Sequence, residues 1–403
     1  MPDYSNYKGI TMLKAGIYDP YLDTLGGGER YCLSVVEVLL KNNYNVDIFW
    51  SGDQEILPKA ERRFGLELSG ANLVPDIFQE HPHQIESVEN QEILSSIASR
   101  RFTTDDRITK IKKIVNKIKI TQQYDVFFYI SDWSIPFLFS RNNLLHIQLP
   151  LAKSIPLPQK IINKIKLYNY NKILCNSEFT MNVAAPRLGS KCTVLYPPVD
   201  TKQFNPNGTK ENIILSVGRF DTLFNSKRQE VLIEAFKKMY DQKNILGWKL
   251  VLAGGVLNHM EENSFLIRLK EMGSGYPIEF QINPDFTILK SIYESSKIYW
   301  HATGYNVDQE LHPENTEHFG IAPVEAMASG AVPILVDKGG LGEIVTDGIS
   351  GYLWNTTEEL VAKTQLLIGS PQTMLQISQK SIEIASKYSK ESFETNFKSI
   401  LNI

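Results

Sequence analysis

Twice in this 403-residue chain a short apolar run breaks near a glycine and gives way to a helical repeat. The first run is Leu13–Tyr18, followed by Asp19-Pro20 and then by Gly26, Gly27, Gly28, Glu29 and Arg30. Leu33, Val36, Leu39 and Leu40 then share one helical face, and residues 45–50 form a second strand-like stretch. The other run, 213–217, leads into Gly218-Arg219-Phe220-Asp221 and a helical pattern over 230–239. Strand, glycine turn, helix, strand is the opening of a Rossmann-like unit, whose parallel strands are joined by crossover helices. The chain is too long for one typical core, so two or three domains are expected.

Strands at 172–176 and 191–196, then Tyr196-Pro197-Pro198-Val199-Asp200, mark the end of the first domain. Residues 201–211, with Pro206, Asn207 and Gly208, read as a linker. The expected division is 1–200, 201–385, and a terminal helix at 386–403.

Apolar residues make up 42% of the chain and charged residues 22%, the balance of an ordinary soluble protein. A net charge of −3 gives no reason to expect nucleic acid as a partner. Cys32, Cys175 and Cys192 show neither zinc spacing nor a disulfide framework. The first residues lack the apolar core of a signal peptide. The apolar window 124–139 is interrupted by Asp132 and is too short to span a bilayer. A cytoplasmic protein is expected, with peripheral contact at the inner membrane face as a further expectation.

Two segments between the strands carry weaker signals. His81 and His83, in the polar stretch 52–105, have no visible third metal ligand and read as part of a solvated loop that could face an acceptor. Between 106 and 121, Ile108, Ile111, Ile114, Val115 and Ile118 repeat at helical spacing among five lysines from Lys110 to Lys119. Such a helix lies on anionic lipid or packs as a crossover with its lysines in water. The strand that follows at 125–130 favours the crossover.

The chemistry concentrates further on. Residues 317–325 read Glu-His-Phe-Gly-Ile-Ala-Pro-Val-Glu and run into Ala326-Met327-Ala328-Ser329-Gly330 and an apolar strand. If Pro323 sits in the first turn of a helix, the amides of residues 320–322 point outward, an anion site favoured by the helix dipole. Glu317 and Glu325 flank it and can accept hydrogen bonds from vicinal hydroxyls. Phosphate amides between two hydroxyl acceptors suit a sugar nucleotide. Arg219, with Lys227 and Arg228 before the next helix, adds a polyanion constellation.

The carboxylate pair seven residues apart, the HFG and PVEAMASG segments around it, the NS and YPPVD segments, and Gly218-Arg219 followed by Lys227 together resemble family 4 glycosyltransferases, retaining enzymes of the GT-B fold. The resemblance spans almost the whole chain. It implies two Rossmann-like domains facing a central cleft, with Gly27 and Gly28 beneath the donor phosphates. Arg219 and Lys227 would hold the diphosphate, and Phe319, Gly320 and Ile321 the donor. Glu317 would contact the transferred sugar and Glu325 the ribose. His146, a histidine in the run 144–149 that leads to Pro150, would reach the reacting sugar. The loop before Lys227 looks a couple of residues longer than the common form of the motif, which leaves Lys227 and Arg228 in competition.

The expected activity is retaining transfer of a hexose from a UDP- or GDP-sugar to an acceptor hydroxyl, on a carbohydrate or lipid-linked acceptor, in cell-surface glycan or glycolipid assembly. No Asp-x-Asp metal site is evident, so no metal or cofactor is expected. A nucleotide-sugar epimerase and a noncatalytic sugar-nucleotide-binding protein are the alternatives. An oxidoreductase would need a Gly-x-Gly-x-x-Gly loop that the chain lacks.

Overall fold

The computed structural model of the chain describes residues 12–78, 104–131, 133–151, 156–222, 226–256 and 264–403. His81 and His83, Asp132, and Asn225 in the loop before Lys227 lie outside these residues. So do the side chains of Ile108, Lys110 and Ile111 in the basic helix.

Two compact units divide the chain. One comprises residues up to 146 with 155–173 and Ile403; the other comprises 147–154 and 174–402. The first opens as its sequence implies: β1 (Leu13–Tyr18), α1 (Gly27–Lys41), β2 (Tyr44–Phe49), α2 (Ile56–Phe64) and β3 (Ala71–Val74). It continues with α3 (Thr104–Thr121), β4 (Val126–Ser131), β5 (Asn142–Ile147), α4 (Leu157–Tyr168) and β6 (Lys172–Cys175). After β6 come α5 (Glu178–Leu188) and β7 (Cys192–Val194). The sheet runs β3-β2-β1-β4-β5-β6-β7, with β1 parallel to both β2 and β4.

The second sheet repeats the plan. Its elements are β8 (Glu211–Val217), α6 (Gln229–Asp241), β9 (Lys249–Gly254), α7 (Ser264–Gly273), β10 (Ile278–Ile282), α8 (Phe286–Ser295) and β11 (Ser296–His301). Then follow α9 (Ile321–Ala328), β12 (Val332–Val336), α10 (Leu341–Ile344) and β13 (Tyr352–Trp354). The helices α11 (Thr357–Gly369), α12 (Pro371–Ala385) and α13 (Lys390–Leu401) close the chain. The order β10-β9-β8-β11-β12-β13 is that of a doubly wound sheet. Every residue of β12 is apolar and buried, as expected of a strand in a parallel sheet covered by crossover helices.

The division falls within β6 rather than at the 201–211 linker. Hydrogen bonds tie the residues after β6 to the second sheet's loops. The Glu343 carboxylate accepts from the amides of Glu178 and Phe179 and from the Tyr196 hydroxyl, and the Val199 amide donates to the Tyr388 carbonyl.

Candidate active site

In a doubly wound sheet, ligands bind beyond the carboxyl ends of the strands where the strand order reverses. In the second unit that point lies between β8 and β11. There the chain leaves β8 at Gly218-Arg219 and leaves β11 at His301.

The close quarters explain the glycines. A Cβ on Gly254, at the end of β9, would stand 1.9 Å from the Gly218 carbonyl oxygen, and one on Gly218 would stand 2.5 Å from Cγ of Lys227. The aliphatic stem of Lys227 thus lies against Gly218 and carries its ammonium toward Glu317. Lys227 Nζ donates to Glu317 Oε2 at 2.7 Å, with both side chains largely buried. His301 Nε2 lies 2.8 Å from the same oxygen, and its Nδ1 is 3.4 Å from the Tyr299 hydroxyl. Burial would push the Glu317 carboxyl up, but the Lys227 charge and the His301 hydrogen bond outweigh it and hold the group far below the usual carboxylate range. Burial holds His301 below its ordinary value despite the neighbouring carboxylate, so at neutral pH it is the neutral imidazole.

Glu317 is fixed through its backbone by the loop after β12. The Gly340 amide donates to the Glu317 carbonyl at 2.8 Å. A Cβ on Gly340 would meet the His318 carbonyl oxygen at 2.4 Å, and one on Gly339, at φ +61°, would meet the Glu317 carbonyl oxygen at 2.1 Å. Only glycines allow that approach. Gly320, at φ +112°, then turns the chain into α9, and Pro323 occupies the first turn of that helix. The first-turn amides of a helix have no partner within it, and Glu317 stands four residues ahead of the first residue of α9.

The other expected site residues are placed as follows. Glu325, half-buried on α9, accepts from the Tyr293 hydroxyl at 3.1 Å. Phe319 is buried and packs its ring against those of Tyr196 and Tyr388. Ile321 is half-buried at the start of α9. Arg219 is more than half exposed, with its guanidinium 3.2 Å from Asp221. Arg228 turns away from Glu317: at φ +52° it bonds Glu230 at 2.6 Å and the Tyr305 carbonyl at 3.0 Å. Lys227 is therefore the cation that meets Glu317.

In the first unit, Gly27 and Gly28 form the first turn of α1 rather than a loop ahead of it. Glu29 reaches back to the Gly26 amide at 2.6 Å, one half of a capping box. His146 lies in β5, buried and stacked on Tyr31 with ring centres 4.1 Å apart.

His301 is the residue that reading the sequence passed over. Its signal was present, since it ends the apolar strand β11 as His146 nearly ends β5, but nothing local links it to Glu317, sixteen residues on. Gln229, which donates to the Arg219 carbonyl at 2.9 Å and so secures the turn after β8, gave no signal.

A family model described as Glycosyl transferases group 1 matches residues 200–384. The human GDP-Man:Man(3)GlcNAc(2)-PP-Dol alpha-1,2-mannosyltransferase is 28% identical over 244 residues, 56% of this chain and 47% of that one. The chain thus aligns with about half the length of that relative. The Dictyostelium discoideum enzyme of the same name is 22% identical over 455 residues, covering 98% of this chain and 85% of that one. Among solved structures, HepE of Anabaena in complex with UDP and glucose shares the fold, with a TM-score of 0.66 over 97% of this chain and 99% of that one at 14% identity. The similarity to Glycosyl transferases group 1 thus falls on residues 200–384, and the chain has the GT-B fold of two Rossmann-like units.

Proposed function

We propose that the chain is a family 4 retaining hexosyltransferase that moves a sugar from a GDP- or UDP-hexose to a hydroxyl of a lipid-linked or other carbohydrate acceptor. One observation carries this reading. Lys227 and His301 converge on a single oxygen of Glu317 at the switch point of the second sheet, beside the N-terminus of α9. A diphosphate there draws on Lys227, Arg219 and the amides of residues 320–322, while Glu317 Oε1 accepts from the hexose hydroxyls and Glu325 from the ribose. As the anomeric carbon–oxygen bond breaks, its electron pair goes to the leaving diphosphate, where these cations and amides stabilise it. The acceptor oxygen bonds to the same face of the sugar, and its proton passes to the departing phosphate oxygen. His146 would contact the reacting sugar, and Gly27 and Gly28 would lie near the phosphates, as the family resemblance implies.

The cations and amides provide the charge that a divalent metal would otherwise supply, so activity is expected to survive EDTA. Abolition by chelator with rescue by manganese overturns that part of the reading. The mannosyltransferase relatives favour GDP-mannose and a lipid-linked acceptor, which would place the work at a cytoplasmic membrane face. Incubation with labelled GDP-mannose and UDP-hexoses tests the whole. Transfer or slow hydrolysis supports it, isomerisation would indicate an epimerase, and binding alone a sensor. The anomeric coupling constant of the product reports retention or inversion.

A further inference from the structure

The helix α4 buries little of itself. Of its twelve residues only Asn163 and Leu167 are buried. Leu157, Ile161, Ile165 and Tyr168 are 71%, 55%, 61% and 84% exposed, and Ile162 is 43% exposed. The first four recur at spacings of four, four and three, so they line one ridge of the helix. At 100° per residue, Lys160 and Lys164 flank this ridge on one side, and Ile162 and Lys166 on the other. From Pro156 to Ser177 the chain carries four lysines, with Lys172 the last, and no carboxylate. An apolar ridge between cationic flanks, ended by a tyrosine, has the composition of a helix lying in a bilayer interface.

We infer that α4 docks the protein on an anionic phospholipid surface, its Leu157–Ile161–Ile165–Tyr168 ridge entering the headgroup region and the exposed Lys160 and Lys164 meeting lipid phosphates. A convex ridge of isoleucines bordered by ammonium groups matches that surface in both polarity and charge. The basic helix singled out in the sequence, α3, is the weaker element: among its described residues Ile114 and Val115 are the large exposed apolar side chains, each only a little over two-fifths exposed. This inference does not depend on the donor site, since α4 belongs to the first unit and the donor cluster to the second.

Co-sedimentation of the full chain with vesicles of phosphatidylcholine alone, and of phosphatidylcholine with phosphatidylglycerol, tests it. The protein should pellet with the anionic vesicles and be released as salt rises. The double variant Ile161→Asp/Ile165→Asp alters only exposed side chains and should lose binding at least about tenfold, with thermal unfolding and hydrolysis of the sugar nucleotide unchanged. The charge variant Lys160→Glu/Lys164→Glu should lower binding about thirtyfold or more. Wild-type protein left in the supernatant with both vesicles, or equal binding by wild type and both variants, overturns the proposal. Light scattering that shows a dimer dissolved by Ile165→Asp, without vesicle binding, assigns the ridge to a second copy of the chain and overturns it too.

Discussion

Glu317 accepts from two donors on one oxygen, and that asymmetry separates its role from that of Glu325. The sugar it is proposed to hold gains positive charge as the bond to the diphosphate breaks, and contacts that strengthen in the transition state appear in kcat. Glu317→Gln should lower kcat by on the order of a hundredfold and leave affinity for the free nucleoside diphosphate nearly unchanged. Glu325→Gln, which alters the partner of the Tyr293 hydroxyl, should instead weaken donor and free nucleoside diphosphate alike. Equal loss of nucleoside diphosphate affinity in both variants, measured by calorimetry, would refute the assignment. The ion pair also has a structural side. Lys227→Met leaves a largely buried carboxylate without its cation, and breaking such a pair costs about 3–5 kcal/mol. Denaturant titration should place the variant's second unit well below wild type, and a midpoint unchanged within error would show that solvent screens the pair.

At the scale of elements, the loop joining β12 to α10 holds the segment before α9 by contact between backbones. Gly340 has an ordinary φ, so its glycine answers to space alone: any side chain meets the His318 carbonyl. Gly340→Ala should cost about 1–3 kcal/mol of stability, the usual range for forcing an extra group into a packed site, and should weaken donor binding although the loop carries no proposed ligand group. Gly348→Ala is the comparison. It sits at φ +74° with nothing within 4 Å of its Cβ, so it should lose about 1 kcal/mol and leave donor binding alone. If both variants bind donor like wild type, the loop does not position Glu317. Glu343 in the same stretch bonds the amides at the start of α5 from 165 residues away, which holds that helix to the second unit.

Across the whole molecule the two units should answer pH in opposite directions. In the first, Asp19 is buried beside Glu29 and Cys32, and burial followed by the Glu29 charge pushes its carboxyl up to about 8; Glu29 is raised by burial as well. Acids raised on folding contribute stability that is complete below their unfolded values and lost as pH climbs from about 4 toward 8. In the second unit the buried histidines and Glu317 act the other way, against the raised carboxyl of Glu343. Burial lowers His301 and His318, so their contribution is complete above about 6.5 and falls as the pH drops below it. Glu317, held low, adds a further loss below about 4.5. Hydrogen exchange resolved by peptide at pH 5, 6.5 and 8 should show protection moving from the first unit to the second as pH rises. Asp19→Asn should flatten the trend in the first unit alone. Parallel trends in both units would contradict this picture.

Much of this architecture could be read from local pattern. Apolar runs that end in a glycine and lead into a helical repeat announce crossover units, and Pro323 announces the first turn of a helix, because those signals depend on neighbours within one or two turns. The tertiary structure decided what meets what. The order β10-β9-β8-β11-β12-β13 brings the ends of β8 and β11 side by side, which joins Lys227 to Glu317 across 90 residues and adds His301, which nothing local links to Glu317. That Lys227 meets Glu317 while Arg228 bonds Glu230 and the Tyr305 carbonyl shows only in the folded chain, as does the packing of Phe319 against two tyrosine rings distant in sequence. The exposed ridge of α4 was hidden for a related reason. An apolar helical stripe reads as core wherever it occurs, and only the folded chain shows which stripes have something packed against them.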